Sequence, residues 1–365
     1  MELKDIRIFS ISDLHIGHPR VKSDVMYINY INYLNDNLDI ISKCDVFLID
    51  GDITDSLLYT NSPEYKDLIK LMLAISNMCS KYNLILIYLD GTPSHEMNQI
   101  GNVIYMVKET YPKLELYHHT SIEYNHITKL GLRYIAVPDQ SAVDDNALYT
   151  KVTTLLRKNN LSKVDFIFTH TQYEEAVLYP TVGVKSTALW SNLVNYYIIN
   201  GHIHYHSIRD SVVTVGALDF HHHGDEELKG GVYVQVKNYI KSVKHIPTKH
   251  YTKFKTIIVR DENIKSTIDT IYKLFNKETV PYFIKVIGDL PADVVKKIKQ
   301  DKPLLRLTVV RPKTKNETII DTEVIKQSQV NSLELTPSNI CDLIKEELGN
   351  SYTQEIGDLI KISSS

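Results

Sequence analysis

Cysteine is scarce: Cys44, Cys79 and Cys341 are odd in number and far apart, so no disulfide framework is implied and a reducing compartment fits. No apolar run reaches the ~18 residues a membrane-spanning helix needs, and the first residues, Met-Glu-Leu-Lys-Asp-Ile-Arg-Ile, carry no leader pattern. A cytoplasmic protein with no membrane partner is expected. Excess charge is also missing. A formal net charge of -3 excludes a binder relying on global positive charge for nucleic acid, although not a local basic patch. Internal repeats and long low-complexity segments are absent. What remains is ordinary globular material, 43% hydrophobic and 23% charged, and 365 residues exceed one typical domain.

What the chain has instead is a repeated local event: a short apolar strand that stops at aspartate or histidine. Ile6–Ser12 runs into Asp13-Leu14-His15, and Val46–Ile49 into Asp50-Gly51-Asp52-Ile53-Thr54-Asp55. Leu84–Leu89 ends at Asp90-Gly91-Thr92-Pro93-Ser94-His95-Glu96, Val164–Thr169 at His170, and Val194–Asn200 at Gly201-His202-Ile203-His204. In Asp13-x-His15 and His202-x-His204 the two side chains share one face of an extended segment, as ligands of one centre would. Helical spacing over 25–43 (Ile28, Ile31, Leu34, Leu38, Ile41) and around Lys66–Tyr82 separates the first strands. Alternating strands and helices predict a parallel or mixed sheet with functional groups at the strands' C-terminal ends. From His95 to Val164 the pattern is less regular, with Leu132–Val137 as a strand.

Beyond Ser207 the texture changes to short strands, Val212–Val215 and Val232–Val236. A separate α/β unit follows: strands Ile257–Val259, Tyr282–Ile287 and Leu304–Val310, with helices over 264–275 and Ala292–Gln300. Lys313–Gln329 reads as a polar linker. Thr336-Pro337-Ser338 opens a helix carrying Ile340, Leu343, Ile344 and Leu348 on one face, and a second short helix follows.

Mixed Asp and His donors suit Mn2+, Fe2+ or Zn2+ better than Mg2+ or Ca2+. Their number exceeds what one tetrahedral ion needs and suits two ions sharing a carboxylate, the arrangement that hydrolyses phosphate esters.

In order, these residues resemble the calcineurin-like metallophosphoesterases, whose signature is D-x-H, G-D-x-x-D, G-N-H-[D/E], an isolated His and G-H-x-H; the likeness spans roughly residues 6–236. The turn Val215-Gly216-Ala217-Leu218 and the segment Gly224–Val232 look similar to the SbcD/Mre11 nuclease branch. The resemblance implies a four-layer α/β/β/α sandwich over residues 1–250. It also implies a smaller α/β capping domain that binds DNA over 251–315, and a linker with C-terminal helices over 316–365 that would bind an SbcC/Rad50-like ATPase. It implies a homodimeric DNA exonuclease/endonuclease with two divalent ions, Mn2+ foremost. Asp13, His15, Asp52 and His204 would hold one ion; Asp52, His170 and His202 would hold the other; His95 would contact the scissile phosphate. One departure stands out. The family's Asn before the catalytic His is missing, and the longer Gly91–His95 loop puts Ser94 in its place as a candidate ligand. Asp55 is a candidate phosphate contact or a helix cap. The competing readings are a metallophosphatase or cyclic-nucleotide phosphodiesterase for small substrates, and a catalytically weakened scaffold that binds DNA or a partner.

Other residues have plainer expectations. Asp50 and Asp90 read as loop residues, His118, His119 and His126 as structural or surface, and His221-His222-His223 as an exposed, solvated triple. Lys296, Lys297, Lys299 and Lys302 read as a solvated helix face.

Overall fold

The computed structural model describes residues 5–139, 143–174, 184–222, 228–259, 263–274, 282–301 and 305–310. Strands β1 (Ile6–Ile11), β2 (Val46–Asp50) and β3 (Ile85–Leu89) are short runs of Ile, Leu, Val and Phe, buried at nearly every position. Such runs belong to strands covered on both faces. They form the centre of a six-stranded mixed sheet with β4 (Leu116–His119) beyond β3 and with β11 (Gly230–Lys237) and β12 (Ile240–Pro247) beyond β1. Pairing is parallel from β1 to β4 and antiparallel at β11 and β12.

A second six-stranded sheet has the order β5 (Glu123–Ile127), β6 (Leu132–Val137), β7 (Val164–His170), β8 (Val194–Gly201), β10 (Val212–Thr214), β9 (Ser207–Arg209). Its centre, β6 to β10, is parallel and its two edges are antiparallel. One apolar cluster is shared by both sheets: Ile8, Val46, Leu48 and Ile87 meet Tyr134, Phe166, Phe168 and Ile199. The alternate residues of the first sheet, Phe9, Phe47, Ile49 and Leu86, pack with α1 (Ser23–Asp36), α3 (Pro63–Tyr82) and α5 (Ile100–Thr110). Those of the second, Ile135, Ile167 and Ile198, pack with α6 (Asp145–Lys158) and α7 (Thr187–Ser191). The two-residue period of a strand produces this partition. Each fully buried ring, such as Phe47 or Phe168, stabilises the fold by about 2–3 kcal/mol.

The helices differ from the sequence expectation where local chemistry intervenes. The single helix expected over 25–43 is broken at Asn37, whose backbone leaves the helical region and whose side-chain amide donates to Tyr33 O (2.8 Å), before a four-residue α2 (Leu38–Ile41). Helix α3 starts earlier than expected because Pro63 occupies its first position and Ser62 Oγ accepts from Tyr65 N (3.1 Å). The less regular stretch after His95 contains α5 and α6. The first carries Ile100, Val103, Ile104 and Val107 at helical spacing, and the second is capped by Asp144, which accepts from the amides of Asn146 and Ala147.

A third, three-stranded parallel sheet, β13 (Lys253–Ile258), β14 (Tyr282–Ile287), β15 (Leu305–Val310), carries α8 (Ile264–Leu274) and α9 (Ala292–Asp301). It has its own small core of Val259, Ile271, Ile284, Val286, Ile298 and Leu307. Buried Asp219 ties this segment to the rest: it accepts from Thr252 N (2.6 Å), Thr252 Oγ1 (3.0 Å) and Asn29 Nδ2 of α1 (2.9 Å). Lys296, Lys297 and Lys299 are exposed. The expected C-terminal linker and helices, Cys341 and Lys302 lie outside the described residues. Cys44 and Cys79 are buried free thiols. Among the described residues, no helix is long and apolar enough to cross a membrane.

Candidate metal centre

The loops leaving β1 and β2 are laced together past the ends of their strands. Asp13 N donates to Gly51 O (3.1 Å), His15 N to Asp52 O (3.0 Å) and Ile16 N to Ile53 O (2.9 Å). The lacing holds Asp13 (φ 52°), His15 (φ 47°) and Asp52 (φ 50°) in the left-handed region, which His202 (φ 74°) also adopts. For residues with a Cβ this costs on the order of 1 kcal/mol each, and it persists only where the surroundings over-determine it. Four ligand-type residues in this state within one cluster mark a built site.

Glycines permit the close approach. A Cβ on Gly51 (φ 80°) would overlap His170 Nδ1 and the Gly91 backbone, one on Gly91 would overlap Asp52, and one on Gly201 would overlap Asp50 O. The chain at the ends of β2, β3 and β8 therefore approaches through backbone, with the His170 ring of β7 packed against Gly51 and Gly201.

Asp52 lies at the centre. His170 Nε2 is 3.1 Å from Asp52 Oδ2, and His15 Nε2 is 4.0 Å from the same oxygen. His15 Nε2 and His204 Nε2 are 3.1 Å apart, with Asp13 Oδ1 3.9 Å from the first and 3.7 Å from the second. Three groups bring ligand atoms within 4.8 Å of one another: His15, Asp52 and His95; Asp52, His170 and His202; and His15, His204 and His221. These clusters could hold a metal ion, and the first two share Asp52.

Fixed hydrogen bonds orient the donors. His170 Nδ1 lies 2.8 Å from Asp50 O and donates to it, which turns Nε2 toward Asp52. His95 Nδ1 is held in the same way by Asp55 O (2.7 Å). Asp13 Oδ2 accepts from Ser12 Oγ (2.5 Å) and His202 N (3.0 Å). Asp13 Oδ1 is buried and takes no hydrogen bond, and buried His170 Nε2 faces the Asp52 carboxylate. A carboxyl oxygen and an imidazole nitrogen aimed inward at such distances fit a divalent cation.

Electrostatics agree. Burial works against ionisation of Asp52, but His170, His15 and His95 outweigh it and hold the carboxyl well below the usual range. Burial pushes His15 down, yet Asp55, Asp13 and Asp52 more than reverse it, and Asp52 likewise raises His170 against its burial. Burial and the neighbouring His170 lower His202. The pocket keeps Asp52 charged, and Asp55 with it, as a cation site requires.

Asp13, His15, Asp52, His170, His202 and His204, all expected from sequence, are brought together, and His95 joins them with its ring 4.9 Å from His15. Asp55 is not a helix cap: Oδ1 lies 3.3 Å from His15 Nδ1 and its carbonyl holds His95, so it orients both. Ser94 is exposed. Pro93 starts a short turn, α4 (Pro93–Glu96), and the residue before it meets the cluster: Thr92 N and Oγ1 donate to Asp52 (2.5 and 3.1 Å), and Oγ1 lies 3.3 Å from His202 Nδ1. Glu96 braces the loop from behind, accepting from Ile53 N, Gly91 N and Tyr88 OH, and burial lifts its pKa to about 7.

Asp50 is no loop residue; it ends β2, fully buried, and supplies the carbonyl for His170. His118 pairs with Asp90 (2.7 Å), and buried His119 bonds Glu123 and Tyr134, so both are structural. His221 corrects the expectation of a solvated triple: it is buried against His15, His204 and His18. Two further contributors were not expected. Gln172 Nε2 lies 3.1 Å from His202 Nε2, a position hinted at by its i+2 spacing from His170, and Ser12 joins Asp13 to Asp50 O.

No family model matches the chain, and no curated protein does. A solved structure, the crystal structure of TT1561 of Thermus thermophilus, is similar over 66% of this chain and 99% of its own, at 11% identity and a TM-score of 0.39. A second solved structure covers 67% of this chain and 100% of its own, at 12% identity and a TM-score of 0.41. Neither likeness is close enough to carry a fold or an activity.

Proposed function

We propose that the chain is a two-metal phosphodiesterase with the four-layer metallophosphoesterase architecture, acting on DNA as a nuclease subunit of SbcD/Mre11 type. One observation carries the reading: the Asp52 carboxylate is common to the His15/His95 and His170/His202 groups, at the C-terminal ends of strands from both six-stranded sheets. Asp13, His15, Asp52 and His204 would hold one divalent ion, and Asp52, His170 and His202 the other. Two such ions, Mn2+ foremost, would supply Lewis acidity toward the phosphate oxygens and lower the pKa of an attacking water.

The chain's own groups do the rest. His95 is partly exposed, with Nδ1 fixed by Asp55 O, so its other ring nitrogen, when the ring carries both protons, would give one to the leaving oxygen. Thr92, through Oγ1, takes the place beside Asp52 and His202 that the family gives to asparagine. Gln172 holds His202 from its other nitrogen. The three-stranded unit would cap the site and contact the DNA backbone, and an SbcC/Rad50-like ATPase and a second copy of the chain would complete the assembly.

The test is direct. Purified full chain with Mn2+ should cleave single- or double-stranded DNA, and His95→Ala should abolish cleavage while keeping its metal. Intact DNA beside rapid hydrolysis of bis(p-nitrophenyl) phosphate would replace the nuclease reading with a small-substrate phosphodiesterase. Inactivity on both substrates with fewer than two bound ions would point to a scaffold, which the loss of the family asparagine favours.

A further inference from the structure

His221 has no place in the ligand sets above, yet it is 2% exposed and surrounded by imidazoles. Its ring centroid is 5.0 Å from that of His15 at 78° and 5.3 Å from that of His204 at 71°. Both contacts are edge-to-face. By contrast, His18 lies against it at 30°, a packing contact. One nitrogen each from His15, His204 and His221 falls within 4.8 Å of the others.

The loop carrying His221 is fixed to the loop carrying His204. Lys229 Nζ donates to His204 O (2.8 Å) and lies over the Phe220 ring (5.4 Å), while Asp219 binds the Phe220 amide (2.7 Å) and Thr252. A buried imidazole held this rigidly costs desolvation that an apolar side chain of similar size would not. A ligand role accounts for it.

We infer that His221 completes the ion site of His15 and His204, adding a third imidazole beside the Asp13 carboxylate and the shared Asp52 carboxylate. The inference rests on the reading that His15 and His204 face an ion, and it changes that ion's character. Three nitrogen donors beside two carboxylates suit Zn2+ or Co2+ and suit Mg2+ poorly. The two halves of the centre then differ: a nitrogen-rich site that fills first and retains its ion, and a weaker site at Asp52, His170 and His202. The exchangeable activating ion is the one at the weaker site.

The experiment uses the full chain, stripped with a chelator and titrated with Co2+, followed by visible absorption. Wild type should take up the first equivalent with an intense band of low-coordinate Co2+. His221→Gln should weaken uptake about tenfold or more and diminish the band, whereas His18→Gln should change neither. Unchanged uptake in His221→Gln overturns the inference and leaves the two-metal reading standing. No Co2+ uptake by wild type overturns both. Should His221→Gln fail to fold, X-ray absorption on wild type with one equivalent of Zn2+ decides: scattering from three imidazoles is expected, and two overturns it.

Discussion

The two six-stranded sheets contribute to the centre in chemically different ways. The first sheet delivers its donors through Asp13, His15 and Asp52, all in left-handed backbone and all held by loop-to-loop hydrogen bonds. The second delivers imidazoles, His170, His202 and His204, positioned by groups around their rings: Asp50 O on His170, and Gln172 and Thr92 on His202. One side supplies both carboxylates and most of the left-handed backbone, and the other supplies imidazole nitrogen, with His202 as the one left-handed residue of its three donors. The contrast teaches where the site is fragile. Its charge and its strain are concentrated in the first sheet's loops, and its tuning in the second's.

The contrast orders the expected effects. Asp52→Asn removes the carboxylate common to two clusters and should lower phosphodiester cleavage on the order of 10³-fold or more, with bound metal falling together. If cleavage survives with full metal content, Asp52 is not the shared group. Gly51→Ala forces a Cβ into His170 and Gly91 at φ 80°; a loss of about 3 kcal/mol in denaturant unfolding is expected. A matched loss in Gly101→Ala, where a Cβ meets nothing within 4 Å, would show that the crowding is unimportant.

Much of this was readable in the chain because strand and ligand are adjacent in sequence. Val46–Asp50 is an uninterrupted apolar run stopped by Gly51-Asp52, and that juxtaposition announces both the strand and its role. What could not be read depends on through-space contact or on a local override. His221 meets His15 and His204 only because Asp219 and Lys229 draw its loop inward. Ser94 stands by position where the resemblance expects asparagine. Pro93 instead opens a helical turn, so Thr92, still extended, faces Asp52. The break at Asn37 is likewise a side-chain amide competing for helix carbonyls, which periodicity does not register.

Smaller effects probe the second sheet's tuning. Gln172→Ala should weaken retention of one ion by about 10- to 100-fold in a chelator competition, leaving the fold intact. An equal loss of both ions would contradict its assignment to His202 alone. The mildest effect lies away from the centre, at the stacked rings of His206 and His245, 4.4 Å apart at 5°. Burial, then His206, lowers the His245 pKa from 6.5 to about 4. The unfolded chain therefore binds this proton first. The contribution to stability is complete above pH 6.5 and is lost as pH falls through about 4. In His245→Phe the decline of Tm over that window should be shallower, and an unchanged slope would remove His245 from the acid response.

The central claim is that one carboxylate, Asp52, organises two ions drawn from both sheets. Its most direct test is a crystal structure of the Mn2+-loaded chain with anomalous scattering. Two peaks flanking Asp52, one beside His15 and His204 and one beside His170 and His202, are the predicted result. A single peak, or two that do not share Asp52, would contradict it.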